Sequence, residues 1–568
     1  MNAAITSSPR SGHSPHDSLA AAVERLAGGD VPVLTFHDSK EEPVRVSTGA
    51  LFTAARRWAA LFRRHGVTRG ERVVILLPTG EAFASALLGA ALCGAAPVPL
   101  ATPMTFGGAA PFLRNLMAIL DDARPAVVVT IPRFLEPMRA AAPSFDLRVL
   151  TPKDRDDLSE QDLRAALAVT RSISGDDIAL IQYTSGTTGA PKGVVISHRA
   201  LVANAFAIAD GLALCSSDVG VSWLPLFHDM GLVGVLLTGV CHPYPVHIAA
   251  PMYFALGAQR WMELAAQVGA TVSSAPNFAY EMATARTDRL AAPDLSALRC
   301  MLNGAEPVQP STIRRFESAH ACFGLRPRVV MPVYGMAECT LAVTFPVPGA
   351  PLRVARVDRA ALEHGEIETP RDDGKALELA CVGRPVAGLS LAITDASGRH
   401  LAARKFGNIR VKGSSVMSGY FRNDQASSAT LGADGWLDTG DRGFIEDGQL
   451  YVTGRAKDVI IQAGRNVYPY DIERVAVEAA RVRPGAVVAL GRRNEATGTE
   501  EIVLIAESSV RAAERVTTAR RLQGEILAVL GVRVDEVQLW PIGAVPKTTS
   551  GKARRRECAS LLAARSHG

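Results

Sequence analysis

The chain has few cysteines, little excess charge and few aromatic residues. Its eight cysteines are scattered through 568 residues, and none forms a C-x-x-C pair or a zinc-like group, so a disulfide framework is not expected. The net charge of +5 is small for this length. By itself it argues neither for nor against nucleic acid, but no basic stripe with interleaved aromatic residues is present. We therefore expect a cytoplasmic protein without a nucleic-acid partner.

Long uncharged apolar runs are also scarce. Ala82–Ala101 carries no charge over 20 residues, which is long enough for a membrane span. Its apolar content is mostly Ala and Gly, and Pro97 and Pro99 would break the last turns. We therefore predict a buried helix over Ala82–Cys93 that leads into a buried strand, and no membrane span. Residues 1–17 are polar and lack an apolar h-region, which predicts a disordered leader and not a signal peptide.

Short apolar runs alternate with amphipathic stretches from about residue 45 to 445. Continuous Val/Ile/Leu runs indicate parallel sheets that are covered on both faces. The predicted strands include Arg72–Leu77, Ala126–Ile131, Arg148–Leu150, Ile178–Tyr183, Thr271–Ala275 and Arg328–Val333. Because 568 residues exceed what one core supports, we predict an α/β fold with two domains. A large N-terminal domain over 18–456 has parallel-rich sheets covered by helices, and a smaller mobile α+β domain spans 457–568.

The most informative segment is the loop Tyr183–Gly193, which is rich in Gly, Ser and Thr and contains Lys192. Its glycines let backbone N–H groups approach an anion, its hydroxyls add donors, and the ammonium adds a charge. Apolar runs on both sides indicate that it joins two buried strands, and it does not have the Walker A spacing. A flexible turn is the alternative, but the full segment favours a site for a polyphosphate.

Other polar motifs follow in a fixed order. They are Asn303–Pro307, Tyr334–Glu338, Trp436–Asp441, Gly454–Asp458 and Pro546–Lys552. With the loop, this set resembles the adenylate-forming superfamily of acyl-CoA synthetases, luciferases and peptide-synthetase adenylation domains, over about residues 45 to 560. Trp223–Leu232, which contains His-Asp-Met-Gly-Leu, is similar to the signature of fatty acyl-AMP ligases. The polar stretch 351–380 is similar to the insertion that separates these ligases from ordinary acyl-CoA synthetases.

The resemblance implies that ATP and Mg²⁺ are used and assigns roles to individual residues. The implied phosphate-binding residues are Thr184, Ser185, Gly186, Thr187, Thr188, Gly189 and Lys192. The implied neighbours of adenine are Asn303, Gly304, Ala305, Glu306, Tyr334, Gly335, Met336 and Ala337. Glu338 would bind Mg²⁺, a cation that prefers carboxylate and phosphate oxygens. Asp441 would accept hydrogen bonds from the ribose hydroxyls, with help from Arg455.

Three residues are implied in catalysis. Lys552 would bridge the attacking carboxylate and the α-phosphate, and Lys192 would neutralise phosphate charge. His228 would lie beside the substrate carboxylate, although its apolar surroundings also fit a core histidine. The acyl pocket would begin at Met230, Leu232, Val235 and Leu236, which have helical spacing and could equally be core. Lys457 matches the hinge between the two domains.

The activity implied is that of a fatty acyl-AMP ligase, which passes its acyl group to the phosphopantetheine of an acyl carrier protein. That carrier would belong to a polyketide or peptide synthase. The alternatives are an acyl-CoA synthetase and, from a different class, a non-catalytic nucleotide sensor. Lys192, Glu338, Asp441 and Lys552 are all present, which argues against the sensor. Stretch 351–380 is expected to be too charged for a core and to pack against the C-terminal domain, which disfavours CoA.

Overall fold

A computed structural model describes the ranges 5–6, 17–38, 41–102, 109–141, 148–170, 172–184, 191–358, 361–362, 365–370, 376–462, 465–479, 482–494, 499–547 and 553–566. Most of the predicted leader lies outside these ranges. Within it, Ile5–Thr6 forms a short strand that pairs antiparallel with Leu389–Thr394. Six residues of the predicted site also lie outside the described residues, namely Ser185, Gly186, Thr187, Thr188, Gly189 and Lys552.

The largest sheet has seven strands, six of them parallel. In spatial order they are Val330–Pro332, Cys300–Gly304, Val272–Pro276, Gly220–Ser222, Val246–Ala249, Pro32–His37 and the antiparallel edge strand Val44–Ser47. A second parallel sheet contains Ala96–Pro99, Arg72–Ile75, Val127–Val129 and Val149–Leu150. Apart from the edge strand Val44–Ser47, whose first two residues are exposed, strand residues of both sheets are mostly buried, as expected where helices cover both faces. The predicted α/β class is confirmed.

The phosphate-loop candidate lies outside these parallel sheets. Its flanking strands, Ile178–Thr184 and Lys192–Ser197, form an antiparallel hairpin, and Gly419–Tyr420 adds a third strand. The sequence analysis correctly expected two flanking strands, but their placement in a parallel sheet is wrong. Apolar runs of six or seven residues identify buried strands without showing whether the partner runs parallel or antiparallel.

Antiparallel sheets follow in the second half of the chain. The five-stranded sheet contains Ile5–Thr6, Leu389–Thr394, Gly407–Gly413, Leu437–Glu446 and Gln449–Arg455. The turn between its last two strands is Asp447-Gly448, with φ of 50° and 74°, as expected for a two-residue hairpin loop with positive φ at both positions. Smaller antiparallel groups pair Tyr334–Gly335 with Ala342–Phe345 and Arg384–Pro385, and Ile460–Gln462 with Arg465–Val467.

Helices cover the sheets. They are Leu19–Glu24, Thr48–Arg64, Glu81–Leu92, Ala109–Ala123, Pro132–Ala141, Glu160–Thr170, His198–Gly211, Asp229–Gly231, Thr238–Cys241, Pro251–Ala255, Gln259–Gln267, Asn277–Thr284, Pro310–His320, Asp424–Thr430, Pro469–Ala479, Arg515–Leu530 and Arg555–Ser566, with a π-helical segment at Leu232–Leu237. The uncharged stretch forms the predicted buried helix and the strand Ala96–Pro99. Among the described helices, none is long and apolar enough to cross a membrane.

The last hundred residues have apolar clusters of their own. The strands Val482–Asn494, Thr499–Ser508 and Glu536–Trp540 form one sheet. Ile472, Leu504 and Ile526 pack on one side of it, and Val488, Ile505 and Trp540 belong to the other cluster. The division of the chain at Lys457 stays a prediction, and Lys457 itself is exposed.

The stretch 351–380 contains an antiparallel hairpin of Val354–Asp358 and Ala376–Ala380. Its residues alternate between buried and more exposed, and Val357 and Leu377 join a cluster with Phe444, Tyr451 and Tyr468. The expectation that this stretch is too charged for a core is therefore wrong for one face of the hairpin. Charged residues on the other face, such as Arg356, concealed the period-2 pattern.

Candidate active site

A cavity of about 1480 Å³ collects residues from sequence-distant motifs. Asn277, Ala305 and Val333 line it, and each follows directly on a parallel strand, so the cavity lies at the carboxyl edge of the large sheet, where α/β folds bind ligands. The predicted site residues that line it are Thr184, Lys192, His228, Ala305, Glu306, Tyr334, Gly335, Met336, Ala337, Glu338, Asp441 and Arg455.

Asp441 is buried and held from two sides. The Tyr334 hydroxyl donates to its Oδ2 at 2.6 Å, and Arg455 Nε lies 3.6 Å from its Oδ1. Burial raises the pKa of Asp441, and Arg455 and the Tyr334 hydroxyl act against that shift. Burial and the neighbouring carboxylate raise the pKa of Tyr334, so Tyr334 stays protonated and donates. The arrangement presents a fixed carboxylate to the cavity, which suits a vicinal diol.

Glu338 and Lys192 are linked through one aromatic ring. The Tyr420 hydroxyl donates to Glu338 Oε1 at 2.9 Å, and Lys192 Nζ lies 4.9 Å from the centroid of the Tyr420 ring, within cation–π range. Tyr420 was missed by the sequence analysis because a lone Tyr after Ser-Gly carries no motif. Its hydroxyl contacts Glu338 and its ring contacts Lys192, so Tyr420 positions both side chains.

The donor set around Glu338 fits Mg²⁺ bound with a polyphosphate. The described residues include no group of three or more His, Cys, Asp or Glu that could hold a metal ion. Mg²⁺ differs from zinc in that it is commonly bound by one or two carboxylates together with phosphate oxygens and water. Glu338 supplies such a carboxylate in the cavity, with one oxygen already oriented by Tyr420.

The backbone directly after Glu338 is strained. Thr340 has φ 68° and ψ −55°, and the N–H of Leu341 donates to the carbonyl of Cys339 at 2.8 Å, which is the γ-turn with positive φ. The buried Thr340 side chain donates to the carbonyl of Ser415 at 2.8 Å. Strain of this kind persists only where the surroundings enforce it. The turn at Thr340 therefore fixes the backbone next to Glu338 and the direction in which Glu338 enters the cavity.

The two ends of the phosphate-loop candidate are described. Thr184 and Lys192 face each other in the hairpin register, so the two ends of the loop lie side by side, and both residues line the cavity. The neighbouring Tyr183 donates to Asp122 Oδ2 at 2.5 Å and anchors the strand to a helix. The phosphate roles of Ser185 to Gly189 stay predictions, because these residues lie outside the described part of the chain.

The Asn303–Glu306 motif divides into two parts. Ala305 and Glu306 line the cavity, whereas Asn303 and Gly304 are not among the described lining residues. The Asn303 amide donates to Asn277 Oδ1 at 3.1 Å, and a Cβ at Gly304 would lie 2.7 Å from Val333. The Glu306 carboxylate accepts from the N–H of Phe278 at 2.6 Å. These contacts hold the turn in place, so Asn303 and Gly304 support the site from behind.

His228 directly precedes the helical stretch from Asp229 to Cys241. Its Nδ1 is 2.7 Å from Asp229 Oδ1, and the Met230 N–H donates to the same oxygen at 2.7 Å. A Gln182 amide donates to the neighbouring carbonyl of Phe227 at 2.8 Å. His228 is partly exposed to the cavity, with 22% of its side chain accessible, so it is not a fully buried core histidine.

The predicted acyl wall is half right. Met230 and Val235 line the cavity, whereas Leu232 and Leu236 are fully buried in the main core. The segment Leu232–Leu237 is π-helical, which changes the side-chain spacing expected for an α-helix. The lining residues that the sequence analysis missed include Ile208, Gly234, Leu341 and Phe345. Apolar residues from three separate segments carry no shared motif, so only the fold could bring them together.

Lys552 lies outside the described residues, and the residues on either side of its segment are described. Lys547 and Ala553 form an antiparallel bridge across it, and Ala553 lines the same cavity as Glu338 and Asp441. The following Arg555 donates to Glu473 and to the carbonyl of Ala489 and stacks on Tyr470 at 5.0 Å. Lys547 and Ala553, on either side of Lys552, are therefore close to the site, and the catalytic role of Lys552 stays a prediction.

Comparisons with known proteins agree with this site. The family model for AMP-binding enzymes matches residues 23–421. The long-chain-fatty-acid–AMP ligase FadD32 of Mycolicibacterium smegmatis is 33% identical, covering 95% of this chain and 93% of its own. The corresponding ligase FadD26 of Mycobacterium marinum is 35% identical, with 86% of each chain covered.

A solved structure from a study of fatty acyl-adenylate ligases of E. coli and L. pneumophila matches with a TM-score of 0.89 and 32% identity. The match covers 98% of this chain and 100% of the solved one. The motifs follow one another in a fixed order, and one cavity unites them. The relatives and the solved structure match nearly the full length, and together these findings lead to one assignment. The chain belongs to the AMP-binding enzyme family, in its fatty acyl-AMP ligase branch.

Proposed function

We propose that the protein joins a fatty acid to ATP, releases pyrophosphate, and transfers the acyl group from the acyl-adenylate to the phosphopantetheine thiol of an acyl carrier protein in the cytoplasm. One observation carries the proposal: a single cavity holds Lys192, Glu338 and Asp441 together with an apolar extension past Val235 and Phe345. A nucleotide and an acyl chain therefore have room in one continuous space. The relatives named as fatty-acid–AMP ligases support the same substrates.

The chemical obstacle is the approach of a carboxylate to an α-phosphorus that is surrounded by negative oxygens. Catalysis of such a step depends on positioning and on charge neutralisation. In the proposed mechanism Asp441 holds the ribose and Lys192 neutralises the β- and γ-phosphates. His228 faces the incoming carboxylate, and Lys552 bridges it to the α-phosphate as the C–O–P linkage forms and pyrophosphate leaves.

Glu338 is the proposed ligand for Mg²⁺. The ion supplies positive charge at the phosphate oxygens when it is bound. The contribution of the chain is to hold Glu338 in one direction through the Tyr420 hydroxyl and the strained turn at Thr340. The remaining coordination would come from phosphate and water.

The proposed acceptor follows from the hairpin in stretch 351–380. Its buried face packs with Tyr468 and, at the cluster edge, with Val459, both of which come after the predicted hinge at Lys457. A hairpin in contact with this region can bias the orientation of the C-terminal part. A bias of about 3 kcal/mol changes the competent fraction more than a hundredfold. A carrier protein can deliver its thiol when the C-terminal part has an orientation in which free CoA does not react. We therefore favour the carrier over CoA as the acceptor.

The activity is tested with fatty acid, ATP and Mg²⁺ by measuring pyrophosphate release and identifying the acyl product. We expect acyl-AMP to accumulate, little acyl-CoA after addition of CoA, and acylation of a holo carrier protein. Rapid acyl-CoA formation by the intact protein would instead assign it as an acyl-CoA synthetase. Absence of pyrophosphate release with every fatty acid would reject the ligase proposal itself.

The role of the hairpin is tested by loosening its buried face. Val357→Ala removes two methyl groups from the cluster, whereas Arg356→Ala changes the exposed face of the same strand and serves as the matched control. Deletion of Arg353 to Leu379 is the stronger variant, since Arg353 and Cys381 are already hydrogen-bonded neighbours at 3.0 Å. A constraint predicts gain of acyl-CoA synthesis in Val357→Ala and in the deletion only. No gain in either variant would make the hairpin a passive insertion.

A further inference from the structure

The cavity extends far from the proposed nucleotide site at Glu338 and Asp441. Pro276 pairs with Gly304 at the carboxyl edge of the large sheet, and Val272 pairs with Cys300 and Gly220 at its amino edge. The four steps from Cys300 to Gly304 correspond to about 13 Å at a strand rise of about 3.3 Å per residue. Gly220 and Val272 line the same cavity as Tyr334. The apolar extension therefore runs along the sheet from one edge to the other.

A salt bridge lies at the far end of this extension. Asp218 accepts from Arg299 Nε at 2.8 Å, from Arg299 Nη2 at 2.6 Å and from the Thr271 hydroxyl at 2.6 Å. Arg299 also donates to the carbonyls of Leu212 and Ala213, and Leu212 lines the cavity. The salt bridge thus ties the loop after helix His198–Gly211 to the starts of the strands. Because its donors are already bonded, Arg299 offers no free cation to an anionic group in the cavity.

Tyr244 is the aromatic polar group at this end of the cavity. Ser273 and Ser274 also line it, and the Ser273 hydroxyl already donates to the carbonyl of Val221 at 2.8 Å. The Tyr244 side chain is 5% exposed and lines the cavity, and its ring lies directly over Gly220, where a Cβ would come within 3.0 Å of Cε2 and 3.2 Å of the hydroxyl oxygen. Within the described part of the chain, no hydrogen-bond partner occupies that hydroxyl. Burial raises the pKa of Tyr244, so the group is a neutral phenol that can both donate and accept.

A hydroxyl at the end of an apolar channel discriminates between acyl chains. A terminal methyl group that displaces water from Tyr244 leaves the phenol unpaired, which is unfavourable. A hydroxyl or oxo group at the same position restores the hydrogen bond. A carboxylate would add a charge with no cation to meet it, because Arg299 is already occupied.

We infer that this chain selects fatty acids that carry a neutral hydrogen-bonding group, a hydroxyl or an oxo group, near the far end of the acyl chain, with Tyr244 as the specificity-determining residue. The inference rests on the proposed function, because it assumes that the extension holds the acyl chain. The length of the extension sets the position of the group: about 13 Å accommodates an extended chain of roughly ten carbons.

The test compares ω-hydroxy fatty acids with their unsubstituted counterparts, from eight to sixteen carbons, by the kcat/KM for pyrophosphate release. We expect the ratio of the two to peak near ten to twelve carbons and to favour the hydroxy acid by about tenfold, the size of one hydrogen bond to a buried group. The α,ω-dicarboxylic acids should not share this preference. Tyr244→Phe should lower the peak ratio about tenfold.

Two further variants keep the test decisive. Gly220→Ala crowds the same hydroxyl from the opposite side and should also lower the ratio, so the result does not depend on the folding of one variant. Tyr253→Phe removes a phenol that is not among the described lining residues and should leave the ratio unchanged. Equal ratios in the native protein, Tyr244→Phe and Gly220→Ala would overturn the inference while leaving the ligase activity intact. Absence of pyrophosphate release with every acid would instead count against the proposed function.

Discussion

The cavity has a proposed nucleotide half around Glu338 and Asp441 and a proposed acyl half around Gly234 and Val235. The two halves are built on different principles. In the nucleotide half, the acidic groups are fixed by neighbours: Asp441 by Tyr334 and Arg455, and Glu338 by Tyr420. The acyl half is shaped by apolar side chains and by glycine, which leaves space for a ligand, as at Gly234. Fixed charges stabilise a transition state, whereas an apolar space selects by size. Changes in the first half should therefore reduce the rate for every substrate, and changes in the second should alter which substrate is used.

The largest effect is expected for Lys552→Ala. Removal of a donor that meets developing charge costs about 10²–10³-fold in kcat. Pyrophosphate release should fall by this amount for all fatty acids. The melting temperature should stay nearly unchanged, because the sequence predicts Lys552 in a loop and such a lysine contributes little to a core. Near-normal release by the folded variant would remove Lys552 from the mechanism.

Glu338→Gln should have the next largest effect, a loss of about a hundredfold at low Mg²⁺. The amide keeps the size of the side chain but removes the charge that the cation needs. Additional Mg²⁺ should recover part of the rate, and the relative rates with different fatty acids should not change.

Thr340→Ala removes the hydroxyl that holds the strained turn and tests the positioning of Glu338. It should also raise the Mg²⁺ requirement, by a smaller factor. If neither variant responds to Mg²⁺, Glu338 is not the metal ligand.

A change in the acyl half should separate the two kinds of behaviour. Gly234 lines the cavity, and a Cβ there would lie 2.9 Å from Leu341 Cδ2. Gly234→Leu should shorten or narrow the apolar extension and lower kcat/KM for long chains by about tenfold, on the scale of a few buried methylenes. The KM for ATP should stay the same. Gly239→Ala, in the same helical stretch and against Val246, is the matched control. A loss that is equal for short and long chains would show that Gly234 acts through stability.

The predicted nucleotide-binding residues converge on one cavity more completely than the predicted acyl wall does, and the reason is physical. A site for phosphate and ribose needs particular donors and acceptors, so Lys192, Glu338 and Asp441 stand in short motifs with recognisable composition. The acyl half needs only apolar volume, which Leu, Val and Phe can supply from any segment. Its helical spacing was misread because Leu232–Leu237 is π-helical. Supporting contacts such as Tyr420 with Glu338 join residues far apart in the chain and leave no local pattern.

The same contrast holds for the fold. Apolar runs located the strands to within one or two residues, since burial on both faces demands continuous hydrophobicity. They could not reveal that Ile178–Thr184 pairs antiparallel with Lys192–Ser197. That pairing brings Thr184 opposite Lys192 and so defines the mouth of the phosphate loop. In the 351–380 stretch, charges on one face concealed the apolar face that packs with Phe444 and Tyr468.

The last prediction concerns how the proposed nucleotide half keeps Asp441 ionised. Tyr334→Phe removes the hydroxyl that donates to Asp441 at 2.6 Å and leaves the ring in place. Loss of one hydrogen bond to a charged group should raise the KM for ATP about tenfold.

The same variant should change the pH dependence. Burial already raises the pKa of Asp441, and the Tyr334 hydroxyl opposes this shift, so removal of the hydroxyl should raise that pKa further. Since the ionised carboxylate is the form proposed to accept from ribose, we expect activity to be lost as the pH falls through the pKa of Asp441. The acid limb of kcat/KM for ATP should therefore move to higher pH in Tyr334→Phe, whereas Tyr253→Phe should leave it in place. An unchanged acid limb with a raised KM would mean that Tyr334 serves the nucleotide by packing alone, and that Arg455 suffices to keep Asp441 charged.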